Sequence, residues 1–195
     1  MGRPKLLLPL GNGLVIDRVL QAWTRSRVDQ TVVVVRKDDS ELRAACQQWS
    51  VEVVSPETDP VDMKASVMVG WRWLDRKHHP HDEDLCFVAP ADVPTIHRGL
   101  IDQLIDVSMS SEGERSGPRL VVPQFGDRPG HPTLFPWSVT RQIAALEPDA
   151  GINQLVDRHL KHCVKFPASE RVADIDTPDQ YQQLLDRESY RTGGP

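Results

Sequence analysis

The amino-acid sequence predicts a doubly wound α/β fold, in which a mostly parallel sheet carries helices on both faces in three layers. Three observations point there. The run "TVVVV" at 31–35 is continuous and β-branched, the composition of a parallel strand covered on both sides. Two more short apolar runs follow, "VEVV" at 51–54 and "LCFVA" at 85–89. Each is succeeded by a segment of helical periodicity, so the order reads βαβαβα at about thirty residues per unit, as in open α/β sheets rather than barrels or bundles.

The elements follow in order. After the first strand, "SELRAACQQW" supplies a helix, with Ser40 as its expected N-cap. A second helix covers 63–76, where Val67, Trp71 and Leu74 share a face. The third, "TIHRGLIDQLIDVS" at 95–108, turns Ile96, Leu100, Ile101, Leu104 and Ile105 inward. The second half is less regular. It reads as a strand at "RLVVP", a Gly/Pro loop "QFGDRPGHPT", and helices near 138–146 and 152–160. A strand at "HCVKFP", a tight "ADIDTPDQ" turn and a closing helix "PDQYQQLLDR" complete it. "SSEGERSG" is expected to be an exposed connector, residues 1–187 one domain and 188–195 a disordered tail.

Composition excludes several classes. A chain of 195 residues is long enough to bury one sizeable core. With 39% apolar and 26% charged residues and a net charge of -5, it lacks the basic footprint of a nucleic-acid-binding protein. No window approaches the ~18 consecutive apolar residues of a membrane span, and the start lacks a signal peptide's apolar core, so a cytoplasmic protein is expected. Cys46, Cys86 and Cys163 are widely spaced, which fits reduced thiols better than a disulfide framework or a zinc site.

In open parallel sheets, ligands lie beyond the carboxyl ends of the strands. "FVAPADVPT" puts Asp92 just past the third strand, and "ADIDTPDQ" puts Asp174 and Asp176 before the last helix. Two carboxylates converging there would suit Mg²⁺, which takes one or two carboxylates together with waters and substrate phosphates. On spacing alone, Asp92 can equally start a turn before Pro94, and Asp174 or Asp176 can cap the helix. In "RPGHPTLF", Gly130 permits close backbone approach and could bring His131 against an anion; the same loop could be purely structural. Lys5 follows a Gly-x-Pro turn and can reach a phosphate or stay solvated. His78, His79 and His81 in "KHHPHDED" read as a surface loop rather than a metal site.

Four segments, "MGRPKLLLPL", "ADVP", "GDRPGHPTLF" and "DIDTPDQYQQL", occur in this order from Met1 to about Leu185. Together they resemble the MobA-like NTP transferase family, especially its molybdenum cofactor cytidylyltransferase and guanylyltransferase branches. The resemblance implies a Rossmann-like nucleotidyltransferase fold and a Mg²⁺-dependent enzyme. It implies transfer of a nucleoside monophosphate, CMP from CTP favoured over GMP from GTP, to a molybdopterin-type acceptor with release of pyrophosphate. A molybdoenzyme or its insertion chaperone would then be a protein partner. By the same resemblance, Lys5 contacts the nucleotide phosphates and Asp92 and Asp176 hold the metal, these three forming the catalytic set. Met63 and Ser66, with Gly70, match the segment lining the nucleotide pocket, and Gly130 and His131 match the loop near the acceptor.

In that family the lysine closes a motif of the form L-A-A-G-x-S-x-R-M-G-x-P-K, preceded by a strand, and Met1 aligns with the methionine inside it. The resemblance therefore implies that a first strand and a phosphate-binding glycine loop belong in front of Met1. Two departures stand out: Lys64 replaces a small residue, and Asn153 in "PDAGINQLV" replaces an arginine whose charged bidentate contacts an amide cannot reproduce. They leave room for an impaired cofactor- or nucleotide-binding protein of the same fold. A sugar-phosphate nucleotidyltransferase is the other alternative, against which the "GHP" loop and short length speak.

Overall fold

A computed structural model describes residues 4–110, 118–147, 149–170 and 174–192. The short hairpin β1 (Pro9–Leu10) and β2 (Gly13–Leu14) leads into α1 (Val15–Thr24). Then come β3 (Val32–Val34), α2 (Ser40–Cys46), β4 (Glu52–Val54), α3 (Met63–His78), β5 (Leu85–Val88) and α4 (Arg98–Ser110). The second half comprises β6 (Leu120–Phe125), β7 (Arg128–Pro129), β8 (Thr133–Pro136), α5 (Trp137–Thr140), α6 (Ile152–Asp157), β9 (Lys161–Phe166) and α7 (Pro178–Thr192).

β3 and β4 pair in parallel, as do β6 and β9. β8 lies between β5 and β6 and is antiparallel to both, so β5, β6 and β9 share one direction and the sheet is mostly parallel. On one face, α3, α5 and α6 cover Cys86, Leu120, Val122 and Phe135. On the other, α1 and α4 cover Phe87, while Leu100 and Leu104 of α4 pack on Val121 and Leu134. Cys86 and Phe87 are successive residues of β5, so the alternation of a strand explains why one meets α3 and the next α1. These are the three layers expected from the sequence.

Several local expectations are corrected. The N-cap of α2 is Asp39, whose carboxylate accepts from Leu42 N at 3.0 Å, and Ser40 is the first helical residue. α4 begins at Arg98 rather than 95, because the His97 ring accepts from Leu100 N at 3.2 Å and closes the first turn. The helix expected over 138–146 is a single α turn followed by a 3-10 segment, and α6 stops at Asp157 as the chain turns into β9. The closing helix runs on to Thr192. The "SSEGERSG" connector from 111 onward and the last three residues of the expected tail lie outside the described residues.

One departure is larger. Val32, Val33 and Val34 were expected to be covered on both faces and are only half-buried. The reason is that β3 and β5 are not neighbours in one ladder: the sheet is in two parts, with a trough of about 1810 Å³ between them. The trough is lined by both strand edges, by α1 (Val19, Leu20, Trp23) and by α3 (Val67, Gly70, Trp71).

Asp17 fastens α1 at this junction. Its carboxylate accepts from Leu14 N at 2.8 Å, capping the helix, and from Trp49 Nε1 at 2.8 Å. Asp17→Ala removes both acceptors at a half-buried position, with an expected loss of about 1–3 kcal/mol in a urea titration. Trp49→Phe in the same background should then add little, since its partner is already gone.

Candidate active site

The carboxyl end of β5 continues as Ala89-Pro90-Ala91-Asp92, and the main chain there is tied to a distant segment: Ile175 N donates to Asp92 O at 3.2 Å. Ile175 is 2% exposed, packed with Leu10, Val15 and Leu184. Burying that one side chain brings the flanking Asp174 and Asp176 to the end of β5. Tyr181 of α7 adds a second tie, its hydroxyl donating to Pro9 O.

α7 has its own cap, so Asp176 is not needed for it. Thr177 Oγ1 accepts from Gln180 N at 3.2 Å, and Gln180 Oε1 accepts from Thr177 N at 2.8 Å, a reciprocal capping box. Asp176 contributes only its N–H, donated to Gln180 Oε1 at 2.8 Å, and its carboxylate is left for other work. The helix-capping alternative for Asp176 is thereby excluded. The T-x-x-Q pattern that does the capping was legible in "TPDQ" and was missed.

The partner of that carboxylate is Lys5. Its ammonium donates to Asp92 Oδ2 and, at 3.0 Å, to Asp176 Oδ1. Lys5, Asp92 and Asp176 come from three segments separated by 87 and 171 positions, and the fold joins them in one cluster. Asp92 is mostly covered and Asp176 more than half exposed. Burial works against the charge of Lys5, but its hydrogen bonds to Asp92 and Asp176 and their negative charges outweigh it and raise its pKa. The hydrogen bond and charge of Lys5 in turn hold Asp176 below the usual carboxylate value. The ammonium is a stand-in cation: it shows that these carboxylates converge closely enough to grip a positive charge from two sides. Hard oxygen donors, two in number and open to solvent on one side, suit Mg²⁺ or Mn²⁺.

His131 lies on the trough wall. Partial burial lowers its pKa, and the charges of Asp174 and Asp92 oppose the shift, so the ring is neutral at physiological pH and within electrostatic reach of the carboxylates. Gly130 is required where it stands, for a reason other than anion binding. A Cβ there would lie 2.6 Å from the Phe125 ring, so only glycine lets the loop cross it. Met63, 51% exposed, and Ser66 sit on the first turn of α3 along the trough, which Asn153 of α6 also lines. Lys64 is engaged elsewhere: its ammonium donates to Glu147 O at 2.8 Å, joining α3 to the loop before α6. The histidines of "KHHPHDED" form no metal cluster; among the described residues no group of three or more His, Cys, Asp or Glu side chains is placed to hold an ion. Cys46 and Cys86 are buried free thiols and Cys163 is exposed; burial pushes Cys86 up to about 12.

Because the folded-state pKa of Asp176 is depressed, its favourable pairing is present above the ordinary carboxylate value of 3.8 and is lost as pH falls through the lower folded value. Lys5→Met should move the Asp176 titration midpoint, followed by carboxyl ¹³C NMR, upward toward 3.8. An unchanged midpoint would show that Lys5 does not set it.

The fold is matched by known proteins. The structure resembles Rv0371c from Mycobacterium tuberculosis H37Rv in a complex with manganese, at 26% identity and a TM-score of 0.72 over 95% of this chain and 93% of that one. It also resembles molybdopterin-guanine dinucleotide biosynthesis protein A from Archaeoglobus fulgidus (19%, TM-score 0.66, 97% and 92% covered). A third likeness is to 4-diphosphocytidyl-2C-methyl-D-erythritol synthase from Anaerococcus prevotii (15%, 0.68, 92% and 87%). No curated protein matches the sequence significantly. The model of the MobA-like NTP transferase domain matches residues 1–163, most of the chain, and this protein is therefore a nucleotidyltransferase of the MobA-like NTP transferase family.

Proposed function

We propose that this nucleotidyltransferase moves CMP from CTP to the terminal phosphate of a molybdopterin-type acceptor, releasing pyrophosphate. The observation that carries the reading is the Lys5 ammonium held between Asp92 and Asp176 at the carboxyl end of β5. CTP is favoured over GTP by the resemblance of the sequence to the cytidylyltransferase branch. The acceptor is favoured by the "GHP" loop.

In this reading an acceptor phosphate oxygen forms a bond to the α-phosphorus of the triphosphate, and the bond to the β-phosphate oxygen breaks. Such transfer depends on positioning and charge neutralisation more than on a protein acid or base. Asp92 and Asp176 would hold Mg²⁺, which when bound neutralises the triphosphate and polarises the α-phosphate. Lys5 would then exchange its two carboxylates for phosphate oxygens. Met63 offers an adaptable apolar surface to the nucleoside and Ser66 a hydroxyl. His131, neutral, would donate or accept a hydrogen bond on the acceptor side without adding charge to a phosphate-rich site. A molybdoenzyme or its insertion chaperone would receive the product.

Asn153 favours a second reading, a nucleotide- or cofactor-binding protein without turnover, because an amide cannot make arginine's paired contacts to a phosphate. Steady Mg²⁺-dependent pyrophosphate release from purified protein with CTP and molybdenum cofactor eliminates that reading. Asp92→Asn should lower release by at least ~100-fold while the melting temperature changes little. Retained turnover in that variant would remove Asp92 from the metal site. Lys5→Met should bind Mn²⁺, read by calorimetry without nucleotide, more tightly than the parent because the competing ammonium is gone; equal or weaker binding would mean that Lys5 and the ion do not share these carboxylates.

A further inference from the structure

The carboxyl edge of the sheet is rich in negative charge. Asp92, Asp174 and Asp176 gather there, and the Lys5 ammonium is shared between Asp92 and Asp176. His131, beside them, is neutral. A phosphomonoester brings about 1.5 to 2 further negative charges at pH 7, and beside carboxylates it is repelled unless a cation meets it. Lys5 is already engaged, so that cation has to come from elsewhere on the edge.

Lys64 is placed to supply it. α3 follows β4, and α6 leads into β9, which runs parallel to β6, so both helices begin at the carboxyl edge. Lys64 heads a stripe on α3 that continues through Val67, Met68 and Trp71, at i+3, i+4 and i+7. Those three pack with Ala150, Ile152 and Leu155 of α6 and the turn before it. The stripe therefore carries the lysine stem toward the start of α6, where the ammonium donates to Glu147 O at 2.8 Å in contact with solvent. The same carbonyl accepts from Ala150 N at 3.0 Å, closing the turn that leads into α6. Met63 and Ser66, on the same helical turn as Lys64, line the trough together with Asn153. Among the residues at 63–66 and 152–154, Lys64 alone carries a charge.

We infer that Lys64 binds the terminal phosphate of the acceptor, its ammonium leaving the Glu147 carbonyl for phosphate oxygens, and that it thereby selects a phosphate-bearing acceptor over an uncharged one. The assignment rests on the proposed nucleotidyl transfer to such an acceptor. Lysine suits the task, being a point charge on a flexible stem with three donors that rotate to meet the oxygens that arrive. A carbonyl offers the ammonium a partial charge and a phosphate oxygen a full one, so the exchange is favoured once the phosphate is present. Asn153 then serves as a neutral donor, and the charge its amide lacks comes from α3.

Calorimetry with inorganic phosphate as the probe, at fixed Mg²⁺, tests this on the parent and two variants. Lys64→Gln keeps a donor for Glu147 O and loses the charge, whereas Lys64→Arg keeps both. Lys64→Gln should bind phosphate at least ~10-fold more weakly than the parent, and Lys64→Arg within ~3-fold of it. Affinity for CTP should stay within ~3-fold across all three, because Lys5 and the metal carboxylates are untouched. A Lys64→Gln variant with the parent's phosphate affinity, an equal loss of phosphate and CTP affinity, or a parent without measurable phosphate binding overturns the assignment. The identity of the acceptor fails separately. Pyrophosphate release by the parent with a different phosphomonoester, and none with molybdenum cofactor, would remove the molybdopterin reading while the phosphate affinities still decide Lys64.

Discussion

The structure depends on two helices that each hold both parts of a divided sheet. α1 and α3 lie on opposite faces, and each reaches from β3 to β5. Trp23 meets Phe87 edge-on from one side, and Trp71 meets Phe135 edge-on from the other, at ring separations of 5.3 and 5.6 Å. Large aromatic side chains make this bridging possible because each covers much apolar surface with few rotatable bonds. The ends of β3 and β5 are thereby aligned, and the position of every side chain beyond those ends follows from that alignment.

The site is a second consequence of burial rather than of charge. Ile175 enters the core beside Leu10 and Val15, and its N–H closes on Asp92 O. The carboxylates of Asp92 and Asp176 come together because that apolar residue anchors the segment carrying one of them. Two carboxylates forced to be neighbours repel, and Lys5 neutralises them.

Much of this was legible. The βαβαβα order came from β-branched runs and helical periodicity, and the inward residues of α4 were named from spacing alone. Asp92, Asp176 and Lys5 were picked out as individual residues. What spacing could not decide was whether Asp176 capped a helix or faced a ligand, since both uses need the same side chain in the same turn. In the structure Thr177 and Gln180 cap the helix, and the carboxylate of Asp176 pairs with Lys5. Gly130 was read as a point of close approach, and in the structure the ring of Phe125 is a group that approaches it. Ring packing across a hairpin leaves no local signature in a sequence. Ser40 and Asp39 show the same limit at smaller scale, because adjacent residues with equal capping ability differ only in backbone conformation.

Local chemistry therefore determined many of the elements: side-chain branching and periodicity act over a few residues, and they marked β3 through α4, β6, β9 and α7, while α1 and the antiparallel strands β7 and β8 carried no signal that was read. The tertiary structure decided the rest. It joined Lys5 to carboxylates 87 and 171 positions away, and it separated β3 from β5 although both read as buried strands of one sheet. Pairing between distant segments depends on which apolar faces are covered first. That is a property of the whole packed chain, and no stretch of sequence holds it alone.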